Sequence, residues 1–326
     1  MPVLIGHYPL DETNMLYGQY DEDCLLCDDL QLRVASFLKL SDAKSFMITE
    51  KQSFELIKKD AVLWSAWCRQ QWPHIPLGTA LVNECPDYCR LWSLAAPGPT
   101  SMDISSTYMA YVRPIFRRTS TTAIQCVQDD RNFYRSFGIR SDKPFPCSPD
   151  GSPFVCPYVS DEKGIDLTPR YVAYFEITIV DNSKNITFQE SEEDEPSVGI
   201  GLSLPQPCLY PVRCNCGGRC GYMPGWDSLS YGYHSDTGSI YHNSKRSLRR
   251  VGPTFGRGDT VGCGVDYSRG NIFFTLNGKL LGTAWEGLDL KAKPLFPTLG
   301  VSADATSHID CNFGQRSFLF DFSAFE

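Results

Sequence analysis

The 326-residue chain has no apolar run of the length a membrane span needs, about 20 consecutive residues, so it reads as soluble. Its opening, MPVLIGHYPL, lacks a basic lead and meets Asp11 and Glu12 at once, so no secretory signal is expected. There is no Gly-x-x-x-x-Gly-Lys phosphate loop and no dinucleotide fingerprint, which argues against the common nucleotide-dependent enzymes. Histidine is scarce, with five scattered residues. His234 and His242 lie near Asp236, but no serine or cysteine occupies a strand-to-helix elbow beside them, so no hydrolytic triad is nominated. Positive charge is also in deficit: 30 Lys and Arg face 38 Asp and Glu, for a net charge of -8. That balance disfavours general attraction to nucleic acid or anionic lipid. Within it, Lys245, Arg246, Arg249 and Arg250 form a local basic patch, read as a solvated loop.

Cysteine is plentiful, at 14. Without a secretory signal these are read as reduced thiols, many buried as small hydrophobes, in a cytoplasmic or nuclear protein. One group is dense enough for metal: Cys208, Cys214, Cys216 and Cys220, within PCLYPVRCNCGGRC. Four thiolates suit tetrahedral zinc, and a Pro- and Gly-rich insertion with little apolar content would gain from such a clip. The competing reading is four reduced thiols in a loop. Cys24 with Cys27, Cys85 with Cys89, and Cys147 with Cys156 lack a compelling second pair.

The chain changes texture along its length. Residues 21–75 are helical in pattern. Leu26, Leu30, Val34 and Phe37 recur as an amphipathic stripe. Ser41 suits the cap of a second helix to about Lys51, and Asp60 precedes AVLWSAWCRQQW, where Trp64, Trp67, Cys68 and Gln71 share a face. Pro73 and Pro76 end that pattern. Residues 76–107 read as an irregular linker, and residues 108–326 turn to strands, with a core at 171–320. In YVAYFEITIV, Ala173, Phe175, Ile177 and Ile179 alternate onto one face. Val198, Ile200, Leu202 and Leu204 repeat the pattern, as do Val261, Cys263 and Val265. Asn277-Gly278 between two apolar runs marks a tight hairpin. PLFPTLGV and HIDCNFG supply two further strands. Many short strands without long intervening helices predict a mainly β antiparallel sandwich with a small all-α unit in front. The acidic run at 190–195 reads as an insertion between strands.

Ordered through the C-terminal half are YFEITI, VGIGL, PGWDSLSYGYHSDTG, GDTVGCGVDY, IFFTLNGKLLGTAW, LFPTLG and CNFG. This half resembles the SPRY family, nearest its Ran-binding-protein branch, and FGIRSDKPFP resembles the extension that packs against the family's sandwich. The resemblance implies two antiparallel sheets whose rim loops hold a target protein or short peptide. It implies contacts from Tyr241 and His242, and from Val301 and Ser302. One peptide-binding branch has tryptophan where this chain has Ser302, so a different peptide motif is expected. Trp226, Tyr231 and Tyr233 are read as core and rim packing, although aromatic groups near loops also make interface anchors.

In the N-terminal unit, LCDDLQLRVASFLKLSDA and LWSAWCRQQW resemble an F-box, with Cys27 where proline is usual. That resemblance implies docking on the small adaptor of a cullin–RING ubiquitin ligase through Leu26, Leu30, Val34, Leu38 and Leu40. Together the two resemblances imply a non-catalytic substrate adaptor of such a ligase. Two alternatives stand beside it. One is a SPRY interaction scaffold with no ubiquitin role; the other is an enzyme or glycan-binding sandwich, which would show a deep pocket with converging acids, histidine or metal.

Overall fold

The computed structural model describes residues 28–38, 56–57, 60–75, 98–106, 116–126, 136–147, 152–161, 164–180, 197–205, 222–290, 293–302 and 307–322. Contacts divide the chain into two units, Met1–Leu63 and Trp64–Glu326.

In the first unit, α1 (Asp28–Phe37) forms from DDLQLRVASF, which holds no glycine or proline to interrupt it. Its buried line is not the predicted stripe. Leu30 is 42% exposed and Phe37 81%, Val34 and Leu38 are half-buried, and Gln31 and Ala35 are buried. Leu26, Leu40 and the helix expected from Ser41 lie outside the described residues. The division between the units falls within α2 (Ala61–Gln71). Asp60 caps this helix: Leu63 N donates to Asp60 Oδ1 at 2.8 Å, satisfying a first-turn amide. Trp64 and Trp67 are buried and meet edge to face, with ring centroids 5.0 Å apart.

The second unit is an antiparallel sandwich, with strands numbered here in chain order. The first sheet runs β1 (Met102–Asp103), β4 (Ser136–Ser141), β15 (Phe296–Ser302), β8 (Val198–Ser203), β9 (Ser230–His234), β10 (Ser239–His242), β11 (Arg249–Arg250). The second runs β14 (Lys279–Trp285), β13 (Asn271–Leu276), β12 (Thr260–Asp266), β7 (Val172–Ile179), β16 (Ser307–Asn312), β3 (Ala123–Cys126), β2 (Phe116–Arg118). A short ribbon joins β5 (Tyr158–Ser160) to β6 (Gly164–Asp166). FGIRSDKPFP, expected to pack against the sandwich, supplies β4, an interior strand held by β1 and β15.

The predicted alternation places the core. Phe175, Ile177 and Ile179 of β7, Val198, Ile200 and Leu202 of β8, and Val261, Cys263 and Val265 of β12 fill the space between the sheets. Burying a Val, Leu, Ile or Phe side chain stabilises by about 1.5–3 kcal/mol. Asn277 and Gly278 take φ of 50° and 76°, so the β13–β14 hairpin closes through the two positive-φ positions its sequence calls for.

The second sheet's outer face is apolar too, and the chain's own C-terminal stretch covers it. Phe318, Phe320 and Phe322 pack over Tyr174 and Phe273. Beneath them Glu176 is buried, and its carboxylate accepts hydrogen bonds from Leu319 N and Phe320 N, both at 3.0 Å, and from the Tyr174 hydroxyl at 2.9 Å. These donors satisfy a charge that would otherwise be costly to bury. Nearby, Arg170 grips Asp166 through two hydrogen bonds of 3.1 and 3.2 Å and lies over the Tyr158 and Phe322 rings.

Candidate functional site on the outer face of the first sheet

Strand register sets Gly138, Gly300 and Gly199 abreast, continued by His234 and Ser239. Without side chains the three glycines leave a channel, and Tyr222, Met223 and Pro224 lie in it as a strap. A Cβ on Gly138 would run into the Tyr222 ring; one on Gly300 would come within 2.6 Å of Met223 Sδ and 2.8 Å of Pro224 Cδ. Glycine is required here for close approach. The strap is tied at one end by Tyr222 N donating to Ser136 O at 3.1 Å. At the other end it turns at Gly225, whose φ is 90° and whose N–H donates to Ser230 Oγ at 2.8 Å.

His234 is clamped under this strap. Its Nε2 lies 2.8 Å from the Pro224 carbonyl, which only accepts, so Nε2 carries the proton. Its ring stacks on Tyr241 at 3.9 Å. Burial pulls its pKa down to about 4, and the imidazole is neutral at physiological pH.

Tyr241, a predicted contact, is therefore mostly buried, with its hydroxyl 3.2 Å from Thr237 Oγ1. His242 is half-buried, stacks on Tyr231 at 4.3 Å, and donates from Nδ1 to the Ser230 carbonyl at 2.8 Å. Beside this pair the Gly-Trp-Asp loop meets the loop after β10: Asn243 N donates to Asp227 O at 3.0 Å, and Lys245 Nζ sits 5.0 Å above the Trp226 ring. Trp226 is half-buried. Its indole Nε1 and one Asp227 carboxylate oxygen are buried without a hydrogen-bond partner among the described protein groups. Burial raises the Asp227 pKa, although the Leu229 amide, donating at 2.8 Å, favours the charged form.

The other predicted pair sits elsewhere. Val301 is fully buried, and half-buried Ser302 ends β15, its N–H donating to Ser197 O at 2.8 Å. Strands β8 and β9 stand between β15 and β10. At the spacing of paired strands this separates the pairs by about 14 Å across the sheet, and the register adds about 10 Å along it. Each pair is internally adjacent; the two pairs are not in contact. Sequence reading took Trp226 for packing and did not nominate it. Its cation partner lies 19 positions further along the chain, and no local periodicity signals such a loop-to-loop meeting.

A cleft among the described residues lacks the converging acids that an enzyme's pocket would show. The cleft lined by Trp72, His74, Phe145, Tyr158, Arg170 and Phe318 is chiefly aromatic, and no described carboxylate lines it. Its one histidine, His74, is lowered to about pKa 4 by burial.

The expected zinc site is not borne out. Cys208, Cys214, Cys216 and Cys220 lie outside the described residues, and no group of three or more His, Cys, Asp or Glu among the described residues is gathered to hold a metal. The described cysteines are scattered, and Cys126, Cys263 and Cys311 among them are buried free thiols. Dense spacing in sequence is not the convergence of ligands that zinc requires.

Residues 172–316 match the SPRY domain family. The chain is 34% identical over 165 residues to a Ran-binding proteins 9/10 homolog of Drosophila melanogaster, covering 44% of this chain and 17% of that protein. It is 35% identical over 149 residues to Ran-binding protein 9 of Homo sapiens, covering 40% and 20%. Against the Ran-binding protein M homolog of Arabidopsis thaliana it is 36% identical over 104 residues, covering 32% and 21%. The matched part thus spans about a fifth of these relatives' length. A crystal structure of a human SPRY domain aligns with a TM-score of 0.37 at 19% identity, over 61% of this chain and 95% of that one. The fold is mainly β, a SPRY-type antiparallel sandwich, and that domain is a non-catalytic interaction module. These findings overturn the F-box and the cullin–RING ligase adaptor: the relatives are Ran-binding proteins, and nothing supports an F-box in residues 21–75. The physical reason is that a 3.6-residue apolar period identifies a surface helix of any family. In α1 the buried line runs through Gln31 and Ala35, while Leu30 of the assumed contact set is exposed and Val34 and Leu38 are half-buried.

Proposed function

We propose that this chain is a protein-interaction module of the scaffold kind, holding an extended segment of a partner protein across the outer face of the first sheet. The observation that carries this reading is the Trp226–Asp227 loop. An indole that keeps part of its surface in solvent sits there under the Lys245 ammonium group, pairing an aromatic face with a cation. Aromatic residues that desolvate area while fixing few torsions are the usual anchors of such contacts. Tyr241 beneath the strap forms one end of the surface and Ser302, backed by Val301, forms the other; His242 turns between the sheets, against Tyr231 and Trp285, and supports that first end from within. An extended peptide of five or six residues spans about 17–20 Å, enough to touch both ends at once. We take residues 108–326, with β1 ahead of them, as the binding unit. We place the protein in the cytoplasm and nucleus, where buried thiols such as Cys263 and Cys311 stay reduced.

The test is selection of a displayed random-peptide library against the full chain. The enriched peptide is then titrated against wild type and Trp226→Ala. The expected result is saturable binding that weakens at least about tenfold in the variant, equivalent to about 1.4 kcal/mol, with an unchanged melting curve. No enrichment, or equal affinity for both proteins, would sink the reading.

A further inference from the structure

The stretch Lys245–Arg250, KRSLRR, concentrates positive charge in a chain of net charge -8. It leads into and includes β11, the terminal strand of the first sheet, which pairs with β10. Arg246, Leu248, Arg249 and Arg250 are all exposed. No carboxylate among the described residues forms an ion pair with Arg246, Arg249 or Arg250.

The ordinary explanation of charge on an edge strand is protection: basic side chains discourage edge-to-edge pairing. Two details go against it. Arg249 pairs across to buried Ile240 and turns inward, its Nη2 donating to the Thr283 and Ala284 carbonyls of β14 at 2.9 Å each. It ties the two sheets together and guards nothing. Between the remaining arginines stands Leu248, 53% exposed, the residue a guarded edge would avoid.

We propose that this edge is a docking strip for an acidic segment of a partner protein that carries an apolar side chain. Its carboxylates meet Arg246 and Arg250, and its apolar group covers Leu248. The guanidinium groups offer forked donors matched to carboxylates. Nucleic acid is the lesser fit, because the strip is only six residues long, the whole chain is negative, and an exposed leucine offers nothing to a phosphate backbone. Lys245 belongs to the Trp226 surface; the strip proper is Arg246, Leu248 and Arg250, and the proposal uses these three alone.

Binding of a fluorescein-labelled peptide of glutamates around one central leucine is measured by anisotropy with the full chain. Four proteins are compared: wild type, the double variant Arg246→Ala/Arg250→Ala, Leu248→Ser, and Trp226→Ala. Arg249 is left intact because it holds the sheets. The expected result is saturable binding that falls at least about tenfold in the double variant and weakens in Leu248→Ser. It also weakens as ionic strength rises from about 0.05 to about 0.5 M, and it is unchanged in Trp226→Ala. Absence of saturable binding, equal binding of the lysine version of the peptide, or indifference to the double variant would each overturn the strip. So would tighter binding of a DNA duplex. Loss in Trp226→Ala alone would assign acidic binding to the other surface and remove it from this one.

Discussion

A methyl group is the smallest perturbation that reads out the strap. Gly138→Ala places its Cβ in the Tyr222 ring, and either the ring or the strand must shift. The expected cost is about 1–3 kcal/mol, the usual range for overpacking, measured by urea denaturation; a neutral outcome would mean the strap moves aside freely. His234 is the second residue-scale probe. Its folded pKa of about 4 lies below the ordinary 6.5, so between those values the unfolded chain binds more protons. Stability therefore falls as pH drops from 6.5 to 4 and this loss stops below 4. At about 1.36 kcal/mol per pH unit the contribution is of order 3 kcal/mol. His74 acts in the same sense. Glu176 and Asp227, raised by burial, act in the opposite one. The His234 share is accordingly the part of the pH slope that vanishes in His234→Gln, followed by denaturation at a series of pH values. Below about 3.8 a further loss is expected from Asp166. Burial opposes its charge, but hydrogen bonds from Arg170 and Thr168 hold it well below the usual carboxylate range.

Elements differ in how openly the sequence declares them. The Asn277-Gly278 hairpin and the inward faces of β7, β8 and β12 were legible, because turn chemistry and a period of two are local properties. The strap and the Glu176 cradle were not. Glu176 meets donors more than 140 positions away in Leu319 and Phe320, and Gly138 meets Tyr222 over 80 positions. Likewise, the tryptophans of α2 announced a helix but not its family, because burial of an aromatic face is common to many folds. Two substitutions test the elements. Gly278→Ala forces a side chain to φ 76° and toward Leu319 O, 2.7 Å from the new Cβ. A loss of about 1 kcal/mol or more is expected in the melt. Phe320→Ala uncovers the outer face of the second sheet, and a loss of about 3–5 kcal/mol is expected by the same measurement.

At the scale of the whole molecule, the division of the chain into two units makes the second one separable in principle. A fragment of residues 60–326, which keeps the Asp60 cap, is expected to unfold cooperatively with a urea slope close to that of the corresponding transition in the full chain. A non-cooperative melt would show that the sandwich needs the preceding residues to hold its packing. The topology also bears on how the chain is made. Strand β15 lies between β4 and β8 in one sheet, and β16 lies between β7 and β3 in the other. Until residues 296–312 leave the ribosome, each sheet is two separate pieces with a gap where its missing strand belongs. At about 5–20 residues per second, the strands that flank each gap, β4 and β8 in one sheet and β7 and β3 in the other, keep an open edge until these residues arrive. Both layers thus close only once residues 296–312 have been made.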